Sequence, residues 1–214
     1  MKYHIVMADV VNSRSYKGTE LLPVFQGLVA TCNERFHRDL LSPYTITLGD
    51  EFQGVVASLK AAVDTIFFLD ETLLDLEPSF RLRYVIVLGE IDTPVNPFIA
   101  HGMAGPGLTL ARELLAKKRR GRPRFQISIQ GMGAEVQMTM LFRLVELLSA
   151  HWHRKDYRLI NELLHVDNDE EVASKFHKNR SQIWKRRKSL QIEEYMIVKT
   201  LIYQAIAGIE GDNG

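Results

Sequence analysis

The chain has 214 residues, of which 46% are hydrophobic and 25% charged, and its formal net charge is +1. These values exclude a disordered chain and a strongly basic protein, so a nucleic-acid contact would need a local cluster of charge. The single cysteine, Cys32, excludes an intramolecular disulfide and a zinc site made of cysteines. Neither a run of about 18 apolar residues nor a secretory signal pattern occurs, which predicts a cytoplasmic protein without a membrane contact.

The sequence up to residue 130 alternates between patterns typical of strands and of helices. Short apolar runs predict strands at residues 3–11, 44–57, 80–91 and 125–130, the second of them folded into a hairpin. Apolar residues at helical spacing predict helices at residues 20–40, 58–76 and 108–118. In the resulting order, β-α-ββ-α-β-α-β, the hairpin interrupts the alternation. This order favours an α+β sandwich of the ferredoxin-like or palm type over a doubly wound parallel sheet.

After Gly133 the sequence predicts helices alone. They fall at residues 137–149, 154–164, 169–177, 180–189 and 192–207. The sequence therefore predicts two domains, an α+β domain at residues 1–133 and a smaller all-α domain at residues 134–214 that contains a helix-turn-helix.

Three acidic residues lie where predicted strands end or turn. Asp9 closes the first strand, while Asp50 and Glu51 lie at the tip of the hairpin, where Gly49 permits a tight reversal. Carboxylates placed in this way can hold Mg²⁺ or Mn²⁺ against phosphate groups. We interpret Asp9 and Asp50 as candidate metal ligands and Glu51 as part of a nucleotide or phosphate site. The alternative is turn chemistry, because Asp is common in hairpins and at strand ends.

The polar loop after Asp9 could bind phosphate through Asn12, Ser13 and Arg14. If a helix begins there, its first amides face an anion. The guanidinium of Arg14 could also bond a phosphate through two of its nitrogens. These residues complete the candidate nucleotide site.

Four segments, at residues 7–13, 47–50, 88–91 and 105–111, have the order and spacing of motifs in class III nucleotidyl cyclases. This resemblance covers residues 3–130, and it implies that Asp9 and Asp50 bind two metal ions. The hairpin also resembles the signature turn of GGDEF diguanylate cyclases, with Leu48 in place of the first glycine. The whole chain is still more similar to SatD-like bacterial proteins, in residues 8–14 and 49–53, a resemblance that adds no mechanism.

One departure from the cyclase pattern counts against cyclase activity. Class III cyclases carry an Asn and, four residues later, an Arg that stabilise the transition state, and here Thr109 and Glu113 hold those positions. Arg112 is one position away, which is about 100° around a helix. Loss of that positive charge costs orders of magnitude in rate. The resemblance therefore implies a degenerate domain that senses a nucleotide or mediates dimerisation.

A basic segment near the C-terminus points to DNA. From Lys175 to Lys188 the sequence has seven Lys or Arg residues and no acid. Val172, Ala173, Phe176 and Ile183 have the spacing expected of the core of a helix-turn-helix. The candidate DNA-binding residues are Lys178, Arg180, Ser181, Gln182, Lys185, Arg186, Arg187 and Lys188. The alternative is a solvated basic helix that packs through its few apolar residues.

Residues 117–124 form a second basic cluster. The Arg-Gly-Arg-Pro sequence within it resembles the core of an AT-hook, which reads the minor groove. An exposed loop between a helix and a strand explains the same residues, and we favour that explanation.

Taken together, these patterns predict a homodimeric, DNA-binding transcriptional regulator with a degenerate cyclase-like domain. One alternative is a metal-dependent enzyme that acts on a nucleotide or another phosphorylated substrate. Another is a protein-interaction module that uses the palm-like sheet to dimerise.

Overall fold

The computed structural model describes residues 1–117, 123–129 and 135–211. Its strands are β1 (Lys2–Val10), β2 (Leu40–Ile46), β3 (Glu51–Val56), β4 (Leu82–Glu90) and β5 (Phe125–Ser128). They form one sheet in the order β2-β3-β1-β4-β5. β5 pairs with β4 in parallel, and the other neighbouring pairs are antiparallel. The predicted α+β class and the predicted order of elements are confirmed.

The helices of the described ranges coincide with the predicted helices and differ from them mainly at their ends. They are α1 (Gly18–Phe36), α2 (Leu59–Thr72), α3 (Pro106–Ala116), α4 (Glu135–Ser149), α5 (Tyr157–His165), α6 (Asp169–Lys175), α7 (Arg180–Ser189) and α8 (Ile192–Gly211). The start of α2 follows from its cap, because Ser58 Oγ accepts a hydrogen bond from the amide of Ala61 at 3.0 Å. None of these helices, as far as the structure describes them, is long and apolar enough to cross a membrane.

β1 is the central strand and is covered on both faces. Val6, Ala8 and Val10 pack into the larger core, which lies under α1, α2, α4 and α8. Ile5 and Met7 point to the opposite face, where they pack against α3. Burial on both faces explains why β1 is a nearly continuous apolar run.

Two glycines bring α3 into close contact with β4. A Cβ atom built on Gly89 would lie 2.5 Å from the Cα of Gly107, and one built on Gly107 would lie 2.7 Å from the carbonyl carbon of Gly89. No larger residue fits at either position without a shift of the backbone. The glycine pair therefore fixes the first turn of α3 against the sheet and sets the height of the whole helix above it.

The predicted helical region shares its core with the sheet. The ring of Phe67 on α2 lies 5.9 Å from that of Phe142 on α4 and 6.2 Å from that of Tyr195 on α8. Lys199 on α8 also forms an ion pair with Glu71 on α2. α4 and α8 therefore extend the helical layer that covers the sheet. The division at residues 133 and 134 stays a prediction, and residues 130–134 lie outside the described ranges.

Arg124, at the end of the second basic cluster, is a core residue. Its guanidinium donates hydrogen bonds to the carboxylate of Asp70 and, at 3.0 Å, to the carbonyl oxygen of Leu82. It also lies 4.4 Å from the centre of the Phe125 ring. Arg124 therefore cannot serve the surface contact that an AT-hook would need, and residues 118–122 of the same cluster lie outside the described ranges.

Candidate functional site

Asp9 lies in a row of three charged residues that crosses the end of the sheet. On the neighbouring strands Glu51 of β3 and Arg83 of β4 stand directly opposite it. Side chains that stand opposite each other in antiparallel strands point to the same face, which here is the face covered by α3. Arg83 Nε donates to Asp9 Oδ1 at 2.8 Å and the second terminal nitrogen of Arg83 donates to Oδ2 at 2.7 Å. This is a two-nitrogen, charge-assisted pair.

The hairpin tip lies against the end of β1. Gly49 has a φ of 81°, the left-handed conformation in which glycine is favoured, and it reverses the chain between β2 and β3. The amide of Val10 donates a hydrogen bond to the carbonyl oxygen of Asp50 at 2.9 Å. The structure thus places the main chain of Asp50 at the same end of the sheet as Asp9.

The acidic residues, as they are placed, do not fit a divalent cation held by Asp9 and Asp50. Both carboxylate oxygens of Asp9 accept hydrogen bonds from Arg83, whose guanidinium supplies the positive charge that a metal ion would otherwise bring. Among the described residues no group of three His, Cys, Asp or Glu side chains could hold a metal ion. Mg²⁺ or Mn²⁺ at this position therefore stays a prediction that would require Arg83 to move.

The loop after Asp9 differs from the predicted phosphate-binding helix terminus. Residues Ser13–Ser15 form one turn of 3-10 helix, and α1 begins only at Gly18. Asn12 has a φ of 55°, and its carbonyl oxygen accepts from the amide and the hydroxyl of Ser15 at 2.8 and 2.7 Å. Arg14 is exposed at this turn. Side chains of this loop can still contact a phosphate. The loop does not, however, begin a long helix whose first amides would face the phosphate, as the sequence predicts.

Sequence reasoning missed Gln53 as a residue of this face. A cavity of about 360 Å³ lies between β3 and α3, and Gln53 and Arg112 line it. A terminal nitrogen of Arg112 lies 3.3 Å from Gln53 Oε1, and Gln53 Nε2 donates to the carbonyl oxygen of Ala100. The signal was available, because Gln53 is two positions from Glu51 on a strand and so shares its face. Arg112 therefore points across to the sheet on the same side as Asp9.

A tight turn joins α6 to α7, where the sequence predicts a helix-turn-helix. His177 has a φ of 52°, so it takes the left-handed conformation that glycine often provides in such turns. Asn179 caps α7 by accepting from the amide of Gln182 at 2.9 Å, and Gln182 Oε1 accepts from the amide of Asn179 at 3.1 Å. Ser181 Oγ also donates to the side chain of Asn179 at 2.8 Å. Ser181 and Gln182 thus hold the start of α7 in place as well as facing solvent.

Two arginines of α7 take part in internal ion pairs. Arg187 is buried, and its guanidinium donates to Asp169 Oδ1 at 2.8 Å and to the carbonyl oxygens of Leu163 and Val166. Here the structure corrects the prediction, because a buried guanidinium with three internal acceptors cannot reach DNA. Arg186 is half-buried and pairs with Asp156 at 2.5 Å.

Of the five other basic residues in this segment, two are paired and three are unpaired. Lys175 forms an ion pair with Glu162 on α5. Lys188 Nζ lies 2.5 Å from Glu193 Oε2, and this hydrogen bond raises the pKa of Lys188. Lys178, Arg180 and Lys185 are exposed, and their side chains make no hydrogen bond or ion pair with any residue that the structure describes. These three are therefore the cations that remain available to an external anion.

Comparisons with known proteins assign the chain to a family. The profile of the SatD family matches residues 3–206, so the chain belongs to that family. No curated protein matches the chain. The guanylate cyclase domain of RhGC from Catenaria anguillulae in complex with GTP is 15% identical, with a TM-score of 0.42 over 64% of this chain and 80% of that domain. The guanylyl cyclase Cya2 is 13% identical, with a TM-score of 0.40 over 64% of this chain and 77% of its own. At TM-scores this low, the roles of residues in those two proteins cannot be assigned to residues of this chain.

Proposed function

We propose that this member of the SatD family is a DNA-binding transcriptional regulator that contacts DNA through α7 and the turn before it. One observation carries the proposal. Lys178, Arg180 and Lys185 lie exposed on one short segment without a partner among the described residues, although the adjacent cations Arg186 and Arg187 are paired. These three charges are therefore not neutralised by any residue in the described part of the chain.

Unpaired cations on a short helix repel one another, and a phosphate backbone relieves that repulsion while it releases its own counterions. Phosphate contacts of this kind fix the position of a protein on DNA, and contacts to base edges give specificity. Gln182 uses its carbonyl oxygen in the helix cap, so its amide nitrogen remains able to donate to a base. Arg180 stands at the first position of α7 beside it.

The test is the affinity for duplex DNA at low salt, measured by fluorescence anisotropy. Arg180→Glu/Lys185→Glu should lower the affinity at least about tenfold, because two phosphate contacts are replaced by two repulsions. The matched control is Lys2→Glu/Arg38→Glu, which makes the same change of net charge at exposed residues of the sheet region. Equal affinities for the two variants, or no binding by the wild-type protein, would contradict the proposal.

The sheet region would then serve as a sensor of a nucleotide or another phosphate ligand. The support is that the register of β1 with β3 and β4 aligns Asp9 with Glu51 and Arg83, while the main chain of Asp50 contacts the end of β1. A ligand that binds only the folded protein raises the melting temperature. Thermal-shift measurements with ATP, with GTP and with Mg²⁺ alone would identify the ligand class, and unchanged melting with each would count against a sensor.

A metal-dependent enzyme acting on a nucleotide or another phosphorylated substrate remains the second candidate. The observation in its favour is that Asp9 and Glu51 face each other across neighbouring strands. The pair between Asp9 and Arg83 disfavours it, because the guanidinium occupies both oxygens of the essential carboxylate. Incubation with ATP, GTP and Mn²⁺ tests this candidate, which requires a product that disappears in Asp9→Ala.

We infer that the protein acts as a homodimer through the outer face of α4. Val136, Met140, Leu144 and Leu147 are 45–64% exposed and lie at helical spacing on the side of α4 that faces away from the core. The charged residue among them, Arg143, is paired with Glu146 on its own helix. A second copy related by a two-fold axis would place apolar side chains against apolar side chains.

A further inference from the structure

A concave cleft of about 580 Å³ lies between the start of α5 and the outer side of α7. It is distinct from the sheet end and from the cavity under α3. Its walls combine residues that are far apart in sequence: Lys155, Asp156, Arg158, Leu159, Phe176, Lys178, Gln182, Lys185 and Arg186. The volume is in the range of pockets that hold small ligands, roughly 300–1,000 Å³.

The charge in this cleft is strongly one-sided. Five of the lining residues are cations and one is an acid, and that acid, Asp156, is paired with Arg186. The side chains of Lys155, Arg158, Lys178 and Lys185 make no hydrogen bond or ion pair with any residue in the described part of the chain.

Most of the other lysines and arginines in the helical region form ion pairs. Lys175 pairs with Glu162 on α5, Arg187 with Asp169 and Lys188 with Glu193. Among the described residues of this region, every lysine or arginine without a partner except Arg180 therefore lines the cleft. Like charges around one cavity repel, and an anion in the cavity removes that repulsion.

We propose that this cleft is a phosphate-binding site, in which Lys155 and Arg158 act together with Lys178 and Lys185. Phosphate is the class of anion that fits, because several phosphate groups can each accept from a different lysine or arginine. The buried Leu159 and the half-buried Phe176 add an apolar surface to the site, against which a sugar or a base can pack. The site shares Lys178 and Lys185 with the proposed function and deepens it, since it adds two residues outside the basic run.

The phosphates could belong to a DNA backbone or to a free ligand, and two probes distinguish these sources. Inorganic tripolyphosphate, titrated by calorimetry, reports on a free ligand. A duplex of about 20 base pairs, followed by anisotropy at several salt concentrations, reports on DNA. The variant is Lys155→Ala/Arg158→Ala, and the control with matched charge is Lys2→Ala/Arg38→Ala. All four residues are exposed and lack described partners, so the variants should fold as the wild type does.

If the free ligand is the source, Lys155→Ala/Arg158→Ala should weaken tripolyphosphate binding at least about tenfold relative to the control. If DNA is the source, the same variant should weaken duplex binding and reduce the slope of log affinity against log salt by roughly 2. Either result supports the site and assigns its ligand. Tripolyphosphate binding without duplex binding would support the cleft while it refutes the proposed DNA function. The site is refuted if the variant matches the control with both probes, or if the wild-type protein binds neither.

Discussion

The guanidinium of Arg83 on β4 holds the carboxylate of Asp9 on β1 through two hydrogen bonds, at 2.8 and 2.7 Å. The two side chains are 19% and 14% exposed, so water screens the pair only in part. A protein that bound a metal ion at Asp9 would not be expected to supply its own cation at the same carboxylate. The pair therefore disfavours a metal ion at the carboxylate of Asp9.

We expect Arg83→Met to lower the free energy of unfolding by about 2 kcal/mol, because it removes the cation opposite a partly buried carboxylate. Urea denaturation measures this loss. Asp9→Asn/Arg83→Met should be more stable than the sum of the two single variants predicts. Arg83→Met should also bind Mn²⁺ more tightly than the wild type does, as followed by electron paramagnetic resonance. Wild-type stability in Arg83→Met would show that the pair contributes little.

A second prediction concerns the buried ion pair of Arg124 and Asp70. Both oxygens of Asp70 accept from Arg124, and Tyr84 Oη donates to Asp70 Oδ1 at 2.8 Å. Asp70→Ala leaves a buried guanidinium without its counter-charge, which should cost about 3–5 kcal/mol of unfolding free energy. Lys188→Ala, which breaks an exposed pair with Glu193, should leave the urea midpoint close to that of the wild type. Similar urea midpoints for the two variants would contradict this account.

Local patterns in the sequence predict the helices and strands well. They also contain information on which side chains of a helix are buried, as Arg187 shows. Arg187 follows the buried Ile183 by four residues, so both lie on the same face of α7. The number of basic residues does not reveal this orientation, because charge alone does not indicate which face of a helix packs against the protein. Helical spacing places Arg187 on the buried face of α7 and Lys185 on its exposed face.

Contacts between distant segments could not be predicted in the same way. The partner of Asp9 depends on the register of β1 with β4, which brings Arg83 from 74 positions away. The cleft between α5 and α7 depends on how these two helices pack. Arg158 and Lys185 both line it, but no sequence pattern predicts that they lie close together. The sequence therefore predicts where the strands end and where the basic helix lies, but it does not predict which side chains contact the residues found there.

Acid should destabilise the protein through His4. Burial lowers the pKa of His4 below its ordinary value of 6.5, and the nearby Glu210 opposes this effect. The unfolded chain therefore binds more protons at this residue than the folded protein does once the pH falls below about 6.5. Stability is lost as the pH falls through that value, and the loss ends below the folded pKa. Urea midpoints measured between about pH 8 and pH 5 should fall less in His4→Gln than in the wild type. Parallel curves for the two proteins would rule out His4 as the cause.

Cys32 should be unreactive in the folded protein. Burial raises the pKa of its thiol to about 12, so the thiolate that attacks alkylating reagents is scarce at neutral pH. We expect iodoacetamide to modify the folded protein at least about 100-fold more slowly than the protein in urea. Because the sequence has one cysteine, mass spectrometry reports on this residue without ambiguity. Equal rates in both states would show that the site opens readily.

The homodimer can be tested on the outer face of α4. Met140 is 64% exposed and Leu144 is 45% exposed, and one turn of helix separates them. Met140→Glu/Leu144→Glu would place repelling carboxylates at the centre of a two-fold contact, where each copy meets the same residues of the other. The variant should be a monomer by light scattering at micromolar concentration, with a melting temperature close to that of the wild type because both side chains face solvent in one copy. The matched control is Ile197→Glu/Leu201→Glu on α8, where the two side chains are 59% and 42% exposed and one turn of helix apart. A monomeric wild-type protein would exclude the dimer, and a variant that remains dimeric would show that the contact lies elsewhere. A dimer that persists in the control and is lost in the variant would assign the contact to α4.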